Sequence, residues 1–222
     1  MNSNYLQINI RKKIIKMALA SKEGHIASSF SIVEILIAIY RYMETLSQES
    51  KFSTHTILSK GHAVFALYGI MNEVQLLSDQ DLDKVCQYGS FLIGHVPARP
   101  DKNFFLGTGS LGQGFPIALG RAYINSLNGE SIPQFVIIGD GELNEGSCWE
   151  ALLLMQKFPN LKLRLLIDNN GSSARAIPLV NVFKALRSGW KTIDIDGHSI
   201  NQLINAFQEN DSNENLVIIC DT

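Results

Sequence analysis

Residues 134–141 read Gln-Phe-Val-Ile-Ile-Gly-Asp-Gly, and residues 161–170 read Leu-Lys-Leu-Arg-Leu-Leu-Ile-Asp-Asn-Asn. Each is a short apolar run that stops abruptly at small, acidic or amide residues. Runs of this length predict strands, and their uninterrupted apolar stretches, Phe135–Ile138 and Leu165–Ile167, predict burial on both faces. The same reading extends outward on both sides. Helical spacing covers 150–158 and 180–186, with a strand over 191–195, a helix over 201–208 and a last strand over 216–220. Strands alternating with helices imply an α/β fold, a mostly parallel sheet with helices on both faces.

Upstream, residues 5–20 carry Ile10, Ile14, Met17 and Ala18 at helical spacing, with Arg11, Lys12, Lys13 and Lys16 between them. Residues 31–43 read as an apolar, buried helix in which Ser31 and Glu34 resemble a capping box. Thr56–Leu58 is a short strand candidate, followed by Ser59-Lys60-Gly61-His62 and an apolar helix to Met71; Ser78–Gln87 is a polar helix with its own serine cap. Glycines at 94, 107, 109, 112, 114 and 120 mark tight turns or close approach of backbone to a ligand. No domain boundary is visible, so residues 1–222 are expected to form one domain, with a helical segment at about 5–45 packed on it.

Composition sets the class. With 45% hydrophobic and 18% charged residues over 222 positions, the chain is globular rather than disordered or fibrous. Nineteen basic against 21 acidic residues give −2, so no basic excess points to nucleic acid. Cys86, Cys148 and Cys220 show no CxxC spacing and read as reduced thiols. The N-terminal residues lack the apolar core of a signal peptide, and no run approaches the ~20 residues that cross a bilayer. A soluble, cytoplasmic protein without nucleic-acid or membrane partners is expected.

The chemistry concentrates where the first two strands end. Asp140 offers a carboxylate and Asn170 an amide oxygen, both at carboxyl ends, the edge at which open α/β sheets bind ligands. Hard oxygen donors suit Mg²⁺, which keeps few protein ligands and favours substrate phosphates. Gly141 lets main chain approach a phosphate, and a helix starting near residue 147 directs its N-terminus there. Four of the five histidines, His25, His62, His95 and His198, directly follow a glycine. Imidazoles on such turns suit hydrogen bonding and proton transfer. For any single one, a cap or a satisfied structural histidine is the simpler reading. His55 reads as surface, and Trp149 and Trp190 as core or interface residues.

Gly139-Asp140-Gly141 followed by Asn169-Asn170 resembles the diphosphate-and-metal motif of thiamine diphosphate enzymes. Gly24-His25-Ile26-Ala27-Ser28-Ser29, Leu58–Ala63, Gly94-His95-Val96-Pro97, Gly107–Gly114, and Gly189-Trp190-Lys191 with Asp194–His198 resemble transketolase segments in the same order. The resemblance runs from about residue 10 to 220. It is closest to the N-terminal subunit of split transketolases, whose diphosphate-binding and pyrimidine-binding halves are separate polypeptides.

That resemblance implies thiamine diphosphate and Mg²⁺ as cofactors. Asp140 and Asn170 would be metal ligands, with Ser172 added by position through its backbone carbonyl. His62, Gly109, Leu111, Gly141, Glu142 and Asn170 would contact the cofactor. His25, His62 and His95 would act on the thiazolium and donor sugar, and Glu145 would sit at the subunit junction beside the partner's activating glutamate; its local alternative is favourable charge at a helix N-terminus. The implied reaction moves a two-carbon ketol unit from a ketose to an aldose, on sugar or sugar-phosphate substrates. It requires a C-terminal, pyrimidine-binding partner in an α₂β₂ assembly or around a homodimer, with apolar stretches 31–40 and 147–155 expected to face another chain. Family relatives continue past the position of Thr222 into a glycine-rich stretch with another diphosphate-contacting histidine, and Ser110 stands where proline is expected. These departures touch ordinary pentose-phosphate activity more than cofactor binding. The alternatives are the α subunit of a 2-oxo acid dehydrogenase or decarboxylase, which shares the metal motif but not the Gly–His series, and a non-catalytic paralogue.

Overall fold

A computed structural model of the chain describes residues 3–175, 180–209 and 213–222. In chain order the elements are α1 (Ser3–Ser21), α2 (Ile26–Phe30), α3 (Val33–Thr45), α4 (Phe52–His55), β1 (Thr56–Leu58), α5 (Val64–Glu73), α6 (Asp79–Asp83), α7 (Gly114–Leu127), β2 (Gln134–Gly139), α8 (Gly146–Lys157), β3 (Leu163–Asn169), α9 (Val180–Gly189), β4 (Thr192–Asp196), α10 (Ile200–Glu209) and β5 (Leu216–Asp221). The five strands are all parallel, in the order β1-β2-β3-β5-β4.

The apolar strands fill both faces of the sheet, as their lack of alternation requires. Phe135, Ile137, Leu166 and Ile218 pack with α1, α3, α5 and α10 on one face. Val136, Ile138, Leu165, Ile167 and Ile219 pack with α7, α8 and α9 on the other. Register aligns the strand ends: Leu58 lies opposite Ile137, and Gly139 opposite Asp168. The turns after β1, β2 and β3 therefore leave the sheet side by side, and this edge carries the candidate site.

Several expectations are corrected. Ser31 and Glu34 form no capping box: Ser31 Oγ donates to Asp168 Oδ2 at 2.7 Å, and α3 begins after Ile32 without a side-chain cap. Glu34 instead takes both guanidinium nitrogens of Arg11 at 2.6 and 2.9 Å and meets His198 Nδ1 at 3.0 Å. A buried carboxylate thus ties α1 and α3 to the turn before α10. His55 is buried rather than on the surface; its Nδ1 meets Thr54 Oγ1 at 3.0 Å, its Nε2 has no partner, and burial lowers its pKa. Ile26–Thr45 is long and apolar enough to cross a membrane by composition, contrary to the sequence reading. The segment is two helices interrupted at Ser31–Ile32, and residues 32–39 are buried against the rest of this chain. Residues 31–40 are therefore core rather than an interface.

Ser78 does cap its helix, in a box with Asp81, but α6 ends at Asp83, before Cys86 and Gly89 take positive φ values of 56° and 80°. Helix α7 has no counterpart in the sequence reading. Gly114, Pro116 and Gly120 mask it, yet proline is tolerated in a first turn, and Phe115, Ala118, Leu119 and Ala122 bury one stripe.

Candidate active site

β2 delivers Asp140 into a short 3₁₀ turn, Asp140–Asn144, where its carboxylate is fully buried. It accepts from the Gly141 N–H at 2.8 Å, the Ser173 N–H at 3.1 Å and the Ser172 hydroxyl. Asn170 Oδ1 accepts from the Ser172 N–H at 3.0 Å. The expected trio Asp140, Asn170 and Ser172 is thus gathered on two adjoining loops. None of these donors to Asp140 is a cation. A buried carboxylate is costly unless it is paired or binds a metal, so the donor set fits a divalent cation. Among the described residues no three His, Cys, Asp or Glu side chains cluster as metal ligands. A cation here would take one carboxylate and neutral oxygens, leaving room for phosphate oxygens, as Mg²⁺ prefers. Among the described residues, an added Cβ on Gly141 would meet only Ser172 Oγ, at 3.9 Å.

Behind these ligands lies a network absent from the sequence reading. Lys60 and Asp168 form an ion pair at 1% and 0% side-chain exposure. The same carboxylate accepts from Ser31 Oγ at 2.7 Å, Asn170 Nδ2 at 3.0 Å and Thr222 Oγ1 at 2.6 Å. The available signals were a lysine immediately past β1 and an aspartate closing an apolar strand.

The three histidines converge beside it. His25 precedes α2 without capping it through its side chain, His62 lies in the Gly61–Ala63 turn after β1, and His95 sits on the loop before Val96. His25 and His62 rings meet edge to face. Burial, followed by the positive charge of Lys60 and the proximity of His25 and His95, lowers the His62 pKa to about 4. A Cβ on Gly109 would lie 3.0 Å from the His95 ring, and one on Gly61 would lie 2.5 Å from the Thr108 carbonyl oxygen. Glycines at 61 and 109 thus allow these loops to close on one another.

Glu142, expected at the cofactor, is buried and committed to protein donors. It accepts from the Ser59 hydroxyl, the Gly112 N–H at 2.8 Å and the Gly139 N–H at 3.4 Å, and burial raises its pKa. It clamps the turns after β1 and β2 to the Gly112 turn. Ser147 Oγ closes the same turn by donating to the Gly112 carbonyl at 2.7 Å. The N-terminus of α8 is thereby anchored beside the site, with Glu145 exposed just before it and Leu111 half-buried across the turn.

A family profile described as "Transketolase, thiamine diphosphate binding domain" matches residues 6–222. The chain belongs to the transketolase family. It is 33% identical to human transketolase over 210 residues, covering 89% of this chain and 33% of that one. It therefore spans about a third of the length of such full transketolases. Shorter relatives also match. One of them, an apulose-4-phosphate transketolase subunit from Phocaeicola vulgatus, is 28% identical over 211 residues, covering 90% of this chain and 74% of that subunit. The "6-deoxy-6-sulfo-D-fructose transketolase subunit SqwG" of a Clostridium species is 29% identical, covering 84% and 71%. In fold, transketolase from Leishmania mexicana superposes with a TM-score of 0.81 at 22% identity, covering 100% of this chain and 37% of that one. The transketolase thiamine diphosphate-binding domain thus accounts for the parallel sheet and for the two strand-end loops.

Proposed function

We propose that this chain is the diphosphate-binding subunit of a split transketolase-like enzyme that transfers a two-carbon ketol unit from a ketose to an aldose. The observation that carries the reading is the convergence of His25, His62 and His95 beside the Asp140–Asn170 loops, within the family's cofactor-binding domain. Subunit-length relatives support the split arrangement. Ile117, Ile124 and Leu127 of α7 and Leu153 and Leu154 of α8 are exposed. Both helices start at the site, so a pyrimidine-binding partner seated on them would complete it, in an α₂β₂ assembly or around a homodimer. A reducing, cytoplasmic compartment suits the three free thiols.

Bound thiamine diphosphate supplies the carbon nucleophile that breaks and forms the C–C bond. The chain's residues hold and steer. Asp140 and Asn170 would bind Mg²⁺ together with the diphosphate oxygens, with Ser172 completing the loop. Gly141 leaves its main chain open to phosphate, and the N-terminus of α8 favours negative charge. Gly109 and Leu111 would wall the cofactor rings. His62, neutral at pH 7, offers one ring N–H and one acceptor to the reacting centre. His25 and His95, both exposed to the cleft, are suited to hold donor-sugar hydroxyls and move protons. Glu145 would face the partner.

The test is reconstitution. The chain is mixed with the product of a neighbouring gene encoding a pyrimidine-binding half, together with Mg²⁺, thiamine diphosphate, a ketose and an aldose. The expected product is the aldose extended by two carbons, formed only when both proteins are present. Release of CO₂ from a 2-oxo acid without ketol transfer would move the chain to the 2-oxo acid dehydrogenases. Absence of cofactor binding in the assembled pair would make it a non-catalytic partner.

A further inference from the structure

We infer that Asp168 is a positioning residue that dictates which face of the Asn170 amide is turned to the metal site, with Lys60 as its buried counter-charge. This rests on the Mg²⁺ reading above. An asparagine side chain has a donor end and an acceptor end of nearly identical shape, and only the acceptor end can bind a cation. Shape alone does not distinguish the two orientations; the exposed Ser172 N–H favours one of them, and a buried device is needed to hold it.

Asp168 provides it. Its carboxylate accepts from Lys60 Nζ, Ser31 Oγ, Thr222 Oγ1 and Asn170 Nδ2. A carboxylate surrounded by an ammonium and two hydroxyl donors presents only lone pairs to a further neighbour. Turned around, Asn170 would set its carbonyl oxygen against those lone pairs, oxygen to oxygen. The NH₂ group is therefore fixed on Asp168, and Oδ1 is fixed toward the Asp140 loop, where it accepts from the Ser172 N–H at 3.0 Å. Lys60 and Asp168 lie at 1% and 0% exposure, so water cannot replace the ammonium beside this carboxylate. Lys60 is adjacent to Gly61 and His62, so one ion pair also fixes the histidine turn relative to the metal loop. Outer partners of this kind typically alter metal affinity by about ten- to a hundredfold when removed.

The experiment removes the orienting charge without stranding its partner. In K60M/D168N the buried site is neutral and similar in volume. The amide introduced by D168N can accept from or donate to Asn170, so this end no longer selects an orientation and only the exposed Ser172 N–H still does. Titration calorimetry measures thiamine diphosphate binding at fixed Mg²⁺, for the chain alone and for the reconstituted pair. The expected result is a loss of affinity of about tenfold or more with an unchanged melting temperature. Adding Asn170→Asp to this background should restore binding, because a carboxylate has no wrong face; a merely structural defect would not be rescued. Wild-type affinity in K60M/D168N overturns the inference and leaves the metal reading standing. No Mg²⁺-dependent binding by the wild type, alone or paired, overturns the metal reading and this inference with it. Should K60M/D168N not fold, the wild-type Asn170 side-chain amide decides by ¹⁵N NMR. An amide proton protected from solvent exchange supports the bond to Asp168, and fast exchange of both protons overturns it.

Discussion

The His25 and His62 rings meet edge to face, centroids 5.1 Å apart and planes at 70°. Two imidazoles this close disfavour double protonation, and His62 is the more buried of the two. Burial first, then Lys60, His25 and His95, bring its pKa to about 4, below the ordinary 6.5. Between those values the unfolded chain binds a proton that the folded chain does not. The stability due to neutral His62 is therefore complete above pH 6.5 and is lost as pH falls toward 4. Urea melts at about pH 7.5 and about pH 5 should show the wild type losing more stability across the interval than His62→Gln. Equal losses would mean that His62 titrates normally.

His25 and His95 are exposed, and neither supports the core. Replacing either with alanine should change unfolding free energy by about 0.5 kcal/mol or less, as at surface sites. Turnover by the reconstituted enzyme should fall by about 100-fold if they move protons. Denaturant melts beside steady-state kinetics check both halves. Variants that melt early yet turn over normally when folded would return these histidines to a structural role.

Asp140 is a fully buried carboxylate whose partners among the described residues are two N–H groups and a hydroxyl. Asp140→Ala should abolish Mg²⁺-dependent binding of thiamine diphosphate while circular dichroism stays that of the folded chain. Calorimetry showing unchanged affinity would remove Asp140 from the metal site.

How much of this was legible in the sequence depended on the range of the interaction. β2 could be read because burial on both faces leaves a continuous apolar run, β3 because Leu163, Leu165, Leu166 and Ile167 keep it apolar around Arg164, and Ser78 because a cap is written within one helical turn. Asp140 and Asn170 could be placed together because both close parallel strands at the same edge. Lys60 and Asp168 are 108 positions apart, and no local pattern says that one neutralises the other. Ser31 fits a capping box equally well on paper, but in the fold Asp168 claims its hydroxyl. Glu34 is drawn away by Arg11 and His198. Helix α7 was hidden because glycines weaken the local helix signal.

Two glycines, one in the turn before α7 and one inside it, give a prediction with opposite signs. Gly112 has φ = +80°, and a Cβ there would lie 2.5 Å from Ser147 Oγ and 2.6 Å from Glu145 Cβ. Its N–H and carbonyl are both used, by Glu142 and Ser147. Alanine at this position must adopt a left-handed conformation costing about 1–2 kcal/mol and also displace the start of α8. Gly120 lies inside α7 at ordinary φ, with nothing within 4 Å of an added Cβ. Alanine there should stabilise the chain by about 0.5–1 kcal/mol, since glycine in a helix interior carries that entropic cost. Thermal melts of Gly112→Ala and Gly120→Ala should therefore shift in opposite directions from the wild type. Only the first should also weaken thiamine diphosphate binding, because it moves Glu145 and the α8 N-terminus. A Gly112→Ala variant that melts and binds like the wild type would show that the turn is not held by Glu142 and Ser147.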